Sequence, residues 1–207
     1  MEDAEYQFTV DWFSHHTPVW NQLLDQHKPA RIVEVGAYEG RSTCYMIERC
    51  AADHPIDVWS IDTWEGGVDN DSSVMSDVEK RFDHNVAVAQ SNAVHSANVR
   101  KIKQSSNLAL ATLLAAEMGP TMDLVYIDGS HQAPDVLSDA VIGFSLLKVG
   151  GLMIFDDYLW YMEVDTQKNV LNMPKAGIDA FINTFMRKIN IVPYAPIYQL
   201  YTQKIAP

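Results

Sequence analysis

Five short apolar segments recur along the chain, each separated from the next by a stretch with helical spacing. They are Arg31–Val35, Asp57–Ile61, Val99–Lys103, Met122–Ile127 and Leu152–Phe155. Between them Gly40–Ala52, Val74–Val94, Asn107–Met118 and Ala133–Leu147 predict helices. The last of these carries Val136, Leu137, Ala140, Val141 and Phe144 at i, i+3, i+4 spacing, and Gly150-Gly151 predicts its cap. Strands alternating with helices build βαβ units, hence a parallel sheet with helices on both faces. Upstream, Val10–His27 predicts a helical segment interrupted near Pro18, whose Trp12, Phe13 and Trp20 pack on the domain or line a site. After Pro174 the pattern changes: Ala176–Lys188 predicts a helix, and Asn190–Val192 and Ile197–Gln203 two strands close together. The expectation is an α/β, Rossmann-like, doubly wound and mostly parallel seven-stranded sheet with a C-terminal antiparallel strand pair. It forms one domain over 1–207: an N-terminal helical segment (1–29), a core (30–160) and a cap helix with strands (161–207).

The 207 residues carry a formal net charge of -12, so the chain repels phosphates at long range, which argues against a nucleic-acid partner. Cys44 and Cys50 fall on different faces of one predicted helix, reading as reduced thiols rather than a disulfide. The opening "MEDAEYQFTVDW" is acidic and has no apolar run like a signal peptide, and the longest apolar stretch, Leu108–Ala116, is too short to span a bilayer. These features lead to the expectation of a cytoplasmic protein with no membrane partner.

In an open parallel sheet, ligands bind outside the carboxyl ends of the strands. The first strand ends in Gly36, the second in Asp62, the third near Ser105-Ser106, the fourth in Asp128 and the fifth in Asp156-Asp157. The first turn is G-x-x-x-G, not the G-x-G-x-x-G of dinucleotide binders. Gly36 permits a sharp turn and close approach of a ligand. The helix after it offers free N–H groups, and Ser42 adds a hydroxyl, which together suit a carboxylate. The plainer reading is a strand–turn–helix with a glycine cap. Asp62 stands where nucleotide-binding α/β folds place an acid on ribose hydroxyls; alone, it would read as a loop cap. Asp128, Asp156 and Asp157 end strands predicted to be neighbours. Three converging carboxylates raise one another's pKa values unless a cation joins them. Oxygen ligands without cysteine or paired histidine favour Mg²⁺ over Ca²⁺ or Mn²⁺; the plainer reading is again a set of caps. His131, three residues past Asp128, is placed to take a proton. His15, His16, His27, His54, His84 and His95 read as surface or packing residues.

Four blocks in order, "EVGAYEGRS" from Glu34, "SIDTW", "LVYIDGSH" and "LLKVGGLMIFDDY", resemble the class I S-adenosylmethionine-dependent methyltransferases. Within that class they are similar to the small Mg²⁺-dependent O-methyltransferases of the catechol type and to the macrocin-type sugar O-methyltransferases. The likeness spans roughly residues 30 to 160. It implies S-adenosylmethionine as cofactor, with Glu34, Gly36, Ala37, Tyr38 and Gly40 about its methionine part and Ser42 on its carboxylate. Asp62 would hold the ribose with Thr63 and Trp64 beside it, Ser106 and Asn107 would lie near the adenine, and Asp128 would edge the cofactor. Mg²⁺ would be held by Asp128, Asp156 and Asp157. The third catechol-type ligand is an amide, so Asp157 makes this set more anionic. His131 stands where catechol-type enzymes place a catalytic lysine, and with Asp128 it is the expected catalytic pair.

The resemblance implies metal-assisted O-methylation of a hydroxyl on a small molecule such as a sugar, a phenol or a secondary metabolite. The sulfonium methyl is already activated, so the enzyme's task is alignment and proton removal. The partner expected is a hydroxylated small-molecule acceptor, and a homodimer is left open. The alternatives are a nucleotide-binding oxidoreductase on the same sheet and a non-catalytic cofactor-binding or scaffold protein, since fold alone does not give activity.

Overall fold

The computed structural model describes residues 5–67, 75–116, 118–163, 167–193 and 195–207. The first residue of the helix expected from Val74 lies outside the described residues.

A 3-10 turn, Ser14–His16, leads into α1 (Thr17–His27). The core then runs β1 (Arg31–Val35), α2 (Arg41–Cys50), β2 (Ile56–Asp62), α3 (Met75–Asn92), β3 (Ala97–Lys103), α4 (Ser106–Ala115), β4 (Met122–Ile127), α5 (Ala133–Leu146) and β5 (Leu147–Phe155). It closes with α6 (Pro174–Phe185), β6 (Ile189–Ile191) and β7 (Leu200–Lys204). The seven strands lie in the order β3-β2-β1-β4-β5-β7-β6. β1 to β5 are mutually parallel, and β7 runs antiparallel to both β5 and β6. No described helix is long and apolar enough to cross a membrane.

Both faces of the sheet are buried, which is why the central strands read as continuous apolar runs. Successive residues serve opposite faces. Ile32, Leu124, Tyr126, Leu152 and Ile154 pack with α1, α2 and α3. Val33, Val35, Val125, Ile127, Met153 and Phe155 pack with α4, α5 and α6. Because β1 and β4 are sequence-distant neighbours about which the strand order reverses, their carboxyl ends open a crevice at the switch point.

Two sequence expectations need correction. Gly150-Gly151 do not cap α5: the helix ends at Leu146 and β5 starts at Leu147. The glycines lie inside the strand, where its pairing with β4 jumps from Met122↔Leu147 to Leu124↔Leu152 and Gly150 takes φ +90°. The extra residues form a bulge, a use of glycine as common in strands as the cap is in helices. Pro18 does not interrupt a helix that starts at Val10. It sits in the first turn of α1, where its missing N–H costs nothing, and residues 10–13 are not helical. Cys44 and Cys50 are buried free thiols.

Candidate active site

The carboxyl ends of β1, β2, β4 and β5 surround one cavity of about 1050 Å³. Of the residues singled out from sequence, Gly36, Ala37, Tyr38, Ser42, Asp62, Thr63, Ser106, Asn107, Asp128, His131, Asp156 and Asp157 all line it. Glu34, Gly40 and Trp64 do not line it; they build its floor and frame.

The first turn is shaped by strand packing before any ligand is considered. Gly36 has φ +84°, and a Cβ there would lie 1.8 Å from the Asp128 carbonyl oxygen. The absence of a side chain is therefore demanded by the neighbouring strand end as well as by an approaching ligand. Asp62 braces the same turn: its Oδ2 accepts from the Ala37 and Tyr38 N–H groups at 3.0 and 2.9 Å, and its Oδ1 from Trp64 N–H at 2.8 Å. Its carboxylate thus serves as the loop cap of the plainer reading, and the residue also lines the cavity. Trp64 is buried, packs at a tilt against Phe82 with centroids 4.9 Å apart, and donates its indole N–H to the Tyr38 carbonyl at 2.9 Å. It fixes the strained Tyr38, φ +46°, from behind.

Glu34 lies wholly buried under the turn. It accepts from Ser42 Oγ at 2.5 Å, from Thr43 Oγ1 and from Ser60 Oγ at 3.0 Å. The Ser42 hydroxyl expected to meet a ligand carboxylate is engaged by this buried acid. Burial pushes the Glu34 carboxyl up to about 7, with the three hydroxyls pulling the other way. The unfolded chain ionises this group first, so stability falls as pH rises from about 4.5 to about 7, and the loss is complete above that. Glu34→Gln lacks the titration. Its melting temperature, compared with wild type at about pH 5 and about pH 8, should move in the variant's favour at the higher pH. An equal gap at both pH values would show that Glu34 is not held neutral.

At the other end of the cavity Asp128, Asp156 and Asp157 each offer an oxygen within 4.8 Å of the others. The Tyr126 hydroxyl lies between two of them, 2.9 Å from Asp128 Oδ2 and closer to Asp156 Oδ2. Gln199 Nε2 donates to Asp156 Oδ2 at 2.6 Å, and the Asp157 N–H to Asp156 Oδ1 at 2.8 Å. Burial and then the neighbouring carboxylates raise the pKa values of Asp128 and Asp156. That mutual repulsion is what a cation would relieve. The donor set is all oxygen and rigidly oriented, so it fits a hard divalent ion. His131 Nε2 lies 2.8 Å from Asp157 Oδ2, and its ring stacks on Trp160 with centroids 4.0 Å apart.

Three residues of this region were missed from sequence. His16, grouped with the surface or packing histidines, is only 4% exposed and places Nε2 3.8 Å from Asp156 Oδ1. Burial, then His15, push its pKa down to about 4 against the pull of Asp157. Gln199, whose Oε1 accepts from Trp20 Nε1 at 2.8 Å and Tyr201 OH at 2.6 Å, holds Asp156 from the bend just before β7. Neither gave a local signal. Asp139 did: it stands among Val136, Ala140 and Gly143 on the inward face of α5, 1% exposed, and lines the cavity. Burial pushes its carboxyl up to about 7, with Ser106 opposing.

Residues 33–158 match a protein family described as a methyltransferase domain. The chain belongs to this family. The matched segment contains all of the site residues singled out from sequence, from Glu34 to Asp157. A curated relative, an uncharacterized protein of Acanthamoeba polyphaga mimivirus, is 25% identical over 129 residues, covering 62% of this chain. The aligned part spans about half (52%) of that relative's length. Among solved structures, an O-methyltransferase from Bacillus cereus in complex with SAH superposes with TM-score 0.61 at 17% identity, covering 95% of this chain and 84% of that one. A Staphylococcus aureus protein classed as a caffeoyl-CoA O-methyltransferase gives TM-score 0.62 at 17% identity, covering 96% and 86%. The MycE methyltransferase of the mycinamycin pathway, in complex with Mg, SAH and mycinamycin VI, gives 0.58 at 16% identity, covering 95% and 51%. Identities this low establish a shared fold.

Proposed function

We propose that this protein is an S-adenosylmethionine-dependent methyltransferase acting on a hydroxyl of a small molecule, with a divalent ion, Mg²⁺ by its donor set, at Asp128, Asp156 and Asp157. The observation that carries the reading is the union, in one cavity of about 1050 Å³, of the Gly36–Ser42 turn, Asp62 and the three-carboxylate cluster. A cavity of this size accommodates a cofactor and an acceptor together. The family membership favours methyl transfer over the oxidoreductase alternative, and the Bacillus cereus structure carries SAH on the same fold.

In this reading Asp62 accepts from the ribose hydroxyls with its exposed edge while its backbone partners hold it still. The three acids would hold the ion, which when bound would supply Lewis-acid lowering of the acceptor hydroxyl's pKa. His131, kept in place by Asp157 and Trp160, takes the hydroxyl proton.

Calorimetry with S-adenosylhomocysteine (SAH) and with Mg²⁺ separates the two halves. Asp62→Ala should weaken SAH binding by about 10-fold or more, the worth of a charge-assisted hydrogen bond, and leave Mg²⁺ binding unchanged. Asp156→Asn should do the reverse, and chelation of wild type should abolish turnover until Mg²⁺ is returned. Unchanged SAH affinity in folded Asp62→Ala would remove that residue from the cofactor site, and activity surviving exhaustive chelation would reduce the three acids to caps.

A further inference from the structure

The cavity wall is far more acidic than the proposed chemistry requires. Beyond Asp62 and the three-acid cluster, it includes Asp11, Glu39, Asp135 and Asp139. Among the described lining residues the one lysine or arginine is Arg41, and it is already engaged: its Nε donates to the Val10 carbonyl at 3.0 Å, it lies 3.6 Å from Asp11, and its guanidinium covers the Phe8 ring. Arg81 offsets Glu39 from behind the wall, 2.5 Å away. A divalent ion and the single net positive charge of S-adenosylmethionine still leave the lining negative. The whole chain, at -12, adds to the same potential. A concave site lined by one sign of charge focuses its field and selects ligands by charge, with effects on local concentration of about 10 to 10³. A phosphate or diphosphate entering here would find no free arginine or lysine fork among the described lining residues to receive it.

We propose that the acceptor of this cavity is an uncharged or cationic hydroxylated small molecule, and that phosphorylated and coenzyme A-linked acceptors are excluded. This rests on the methyl-transfer reading above and narrows its substrate class. It separates this chain from a caffeoyl-CoA type of acceptor, although a protein classed that way shares the fold.

The test is calorimetry on the full chain with Mg²⁺ present. S-adenosylmethionine and SAH differ by one positive charge at the sulfur and so report the sign of the cavity directly. The ratio of their affinities should fall by about 10-fold or more in favour of SAH as salt rises from about 0.02 M to about 0.5 M, over which the screening length shrinks from roughly 20 Å to roughly 4 Å. Asp135→Lys, on the wall but outside the proposed chemistry, should flatten that dependence. Coenzyme A and caffeoyl-CoA should show no binding up to about 1 mM, weaker than typical enzyme–substrate affinities. A salt-independent ratio, or coenzyme A binding more tightly than that, would overturn the proposal. If neither S-adenosylmethionine nor SAH binds at all, it is the methyl-transfer reading that fails, and this assignment of acceptor falls with it.

Discussion

Replacing His131 with alanine should lower kcat by a factor of about 10²–10⁴, the usual contribution of a positioned proton acceptor. SAH affinity should stay within about 2-fold of wild type, because the imidazole faces Asp157 and Trp160 rather than the Gly36–Ser42 turn. The acidic limb of the pH–rate profile should flatten in the variant. The structure also supplies the competing account: the ring is a brace, one partner of an Asp157 contact and one face of an aromatic stack. In that account, His131→Ala would lower melting temperature and Mg²⁺ affinity together and leave the rate per metal-loaded enzyme intact. Measuring kcat on variant protein saturated with Mg²⁺ distinguishes the two. A folded, metal-loaded His131→Ala enzyme with wild-type kcat would sink the assignment and hand proton removal to a carboxylate.

Gly36→Ala should be the most damaging single methyl in the molecule. The added carbon would stand 1.8 Å from the Asp128 carbonyl oxygen and 2.4 Å from its carbon, both backbone atoms that no rotamer change can move. The strand ends are knitted at this point, with Asp128 N–H on the Val35 carbonyl of β1 at 2.8 Å and Gly36 N–H on the Ile61 carbonyl of β2 at 2.8 Å. Separating them disrupts the turn and the metal side at once. We expect a loss of about 4 kcal/mol or more, a fall of roughly 10 °C in melting temperature for a domain of this size. Gly150→Ala is the control. It has a similar φ, +90°, but nothing lies within 4 Å of the added carbon. Its cost is backbone strain alone, about 1–2 kcal/mol. Thermal melts of the two variants side by side decide the matter: equal shifts would mean that the clash is absorbed and the close approach of the two strands is not a constraint.

The parts of this molecule that could be read from sequence are those set by local patterning. Alternating apolar strands and amphipathic helices dictate the element order, and the strand-end rule alone gathers Gly36, Asp62, Asp128, Asp156 and Asp157 on one edge. The errors arose where one residue type has two structural uses. Gly150 and Gly151 serve a bulge as readily as a cap, and Pro18 starts a helix as readily as it breaks one. What stayed hidden depends on tertiary contact. Glu34 and part of the Asp62 carboxylate are committed to hydrogen bonds within the turn itself, and nothing in "SIDTW" or "VEVG" reveals how much. His16 is brought to Asp156 only by the packing of α1 against the sheet. Asp139 alone was legible and overlooked, as a carboxylate on a helix face that otherwise turns inward.

The bond between Trp20 and Gln199 closes a loop of 179 residues, and it holds the same amide that orients Asp156. Closing a span that long is entropically unfavourable until most of the intervening chain has already condensed, although the penalty grows only with the logarithm of its length. During synthesis, residue 199 leaves the ribosome after every parallel strand has been made. The sheet can therefore assemble on a nascent chain while the carboxylate cluster still lacks its anchor. The Gly36–Ser42 turn, braced by residues within 34–64, is complete well before the acids on the far side of the cavity are fixed. The two halves of the site thus mature at different times, and the one that would hold a cation is finished by a residue made well after the parallel strands.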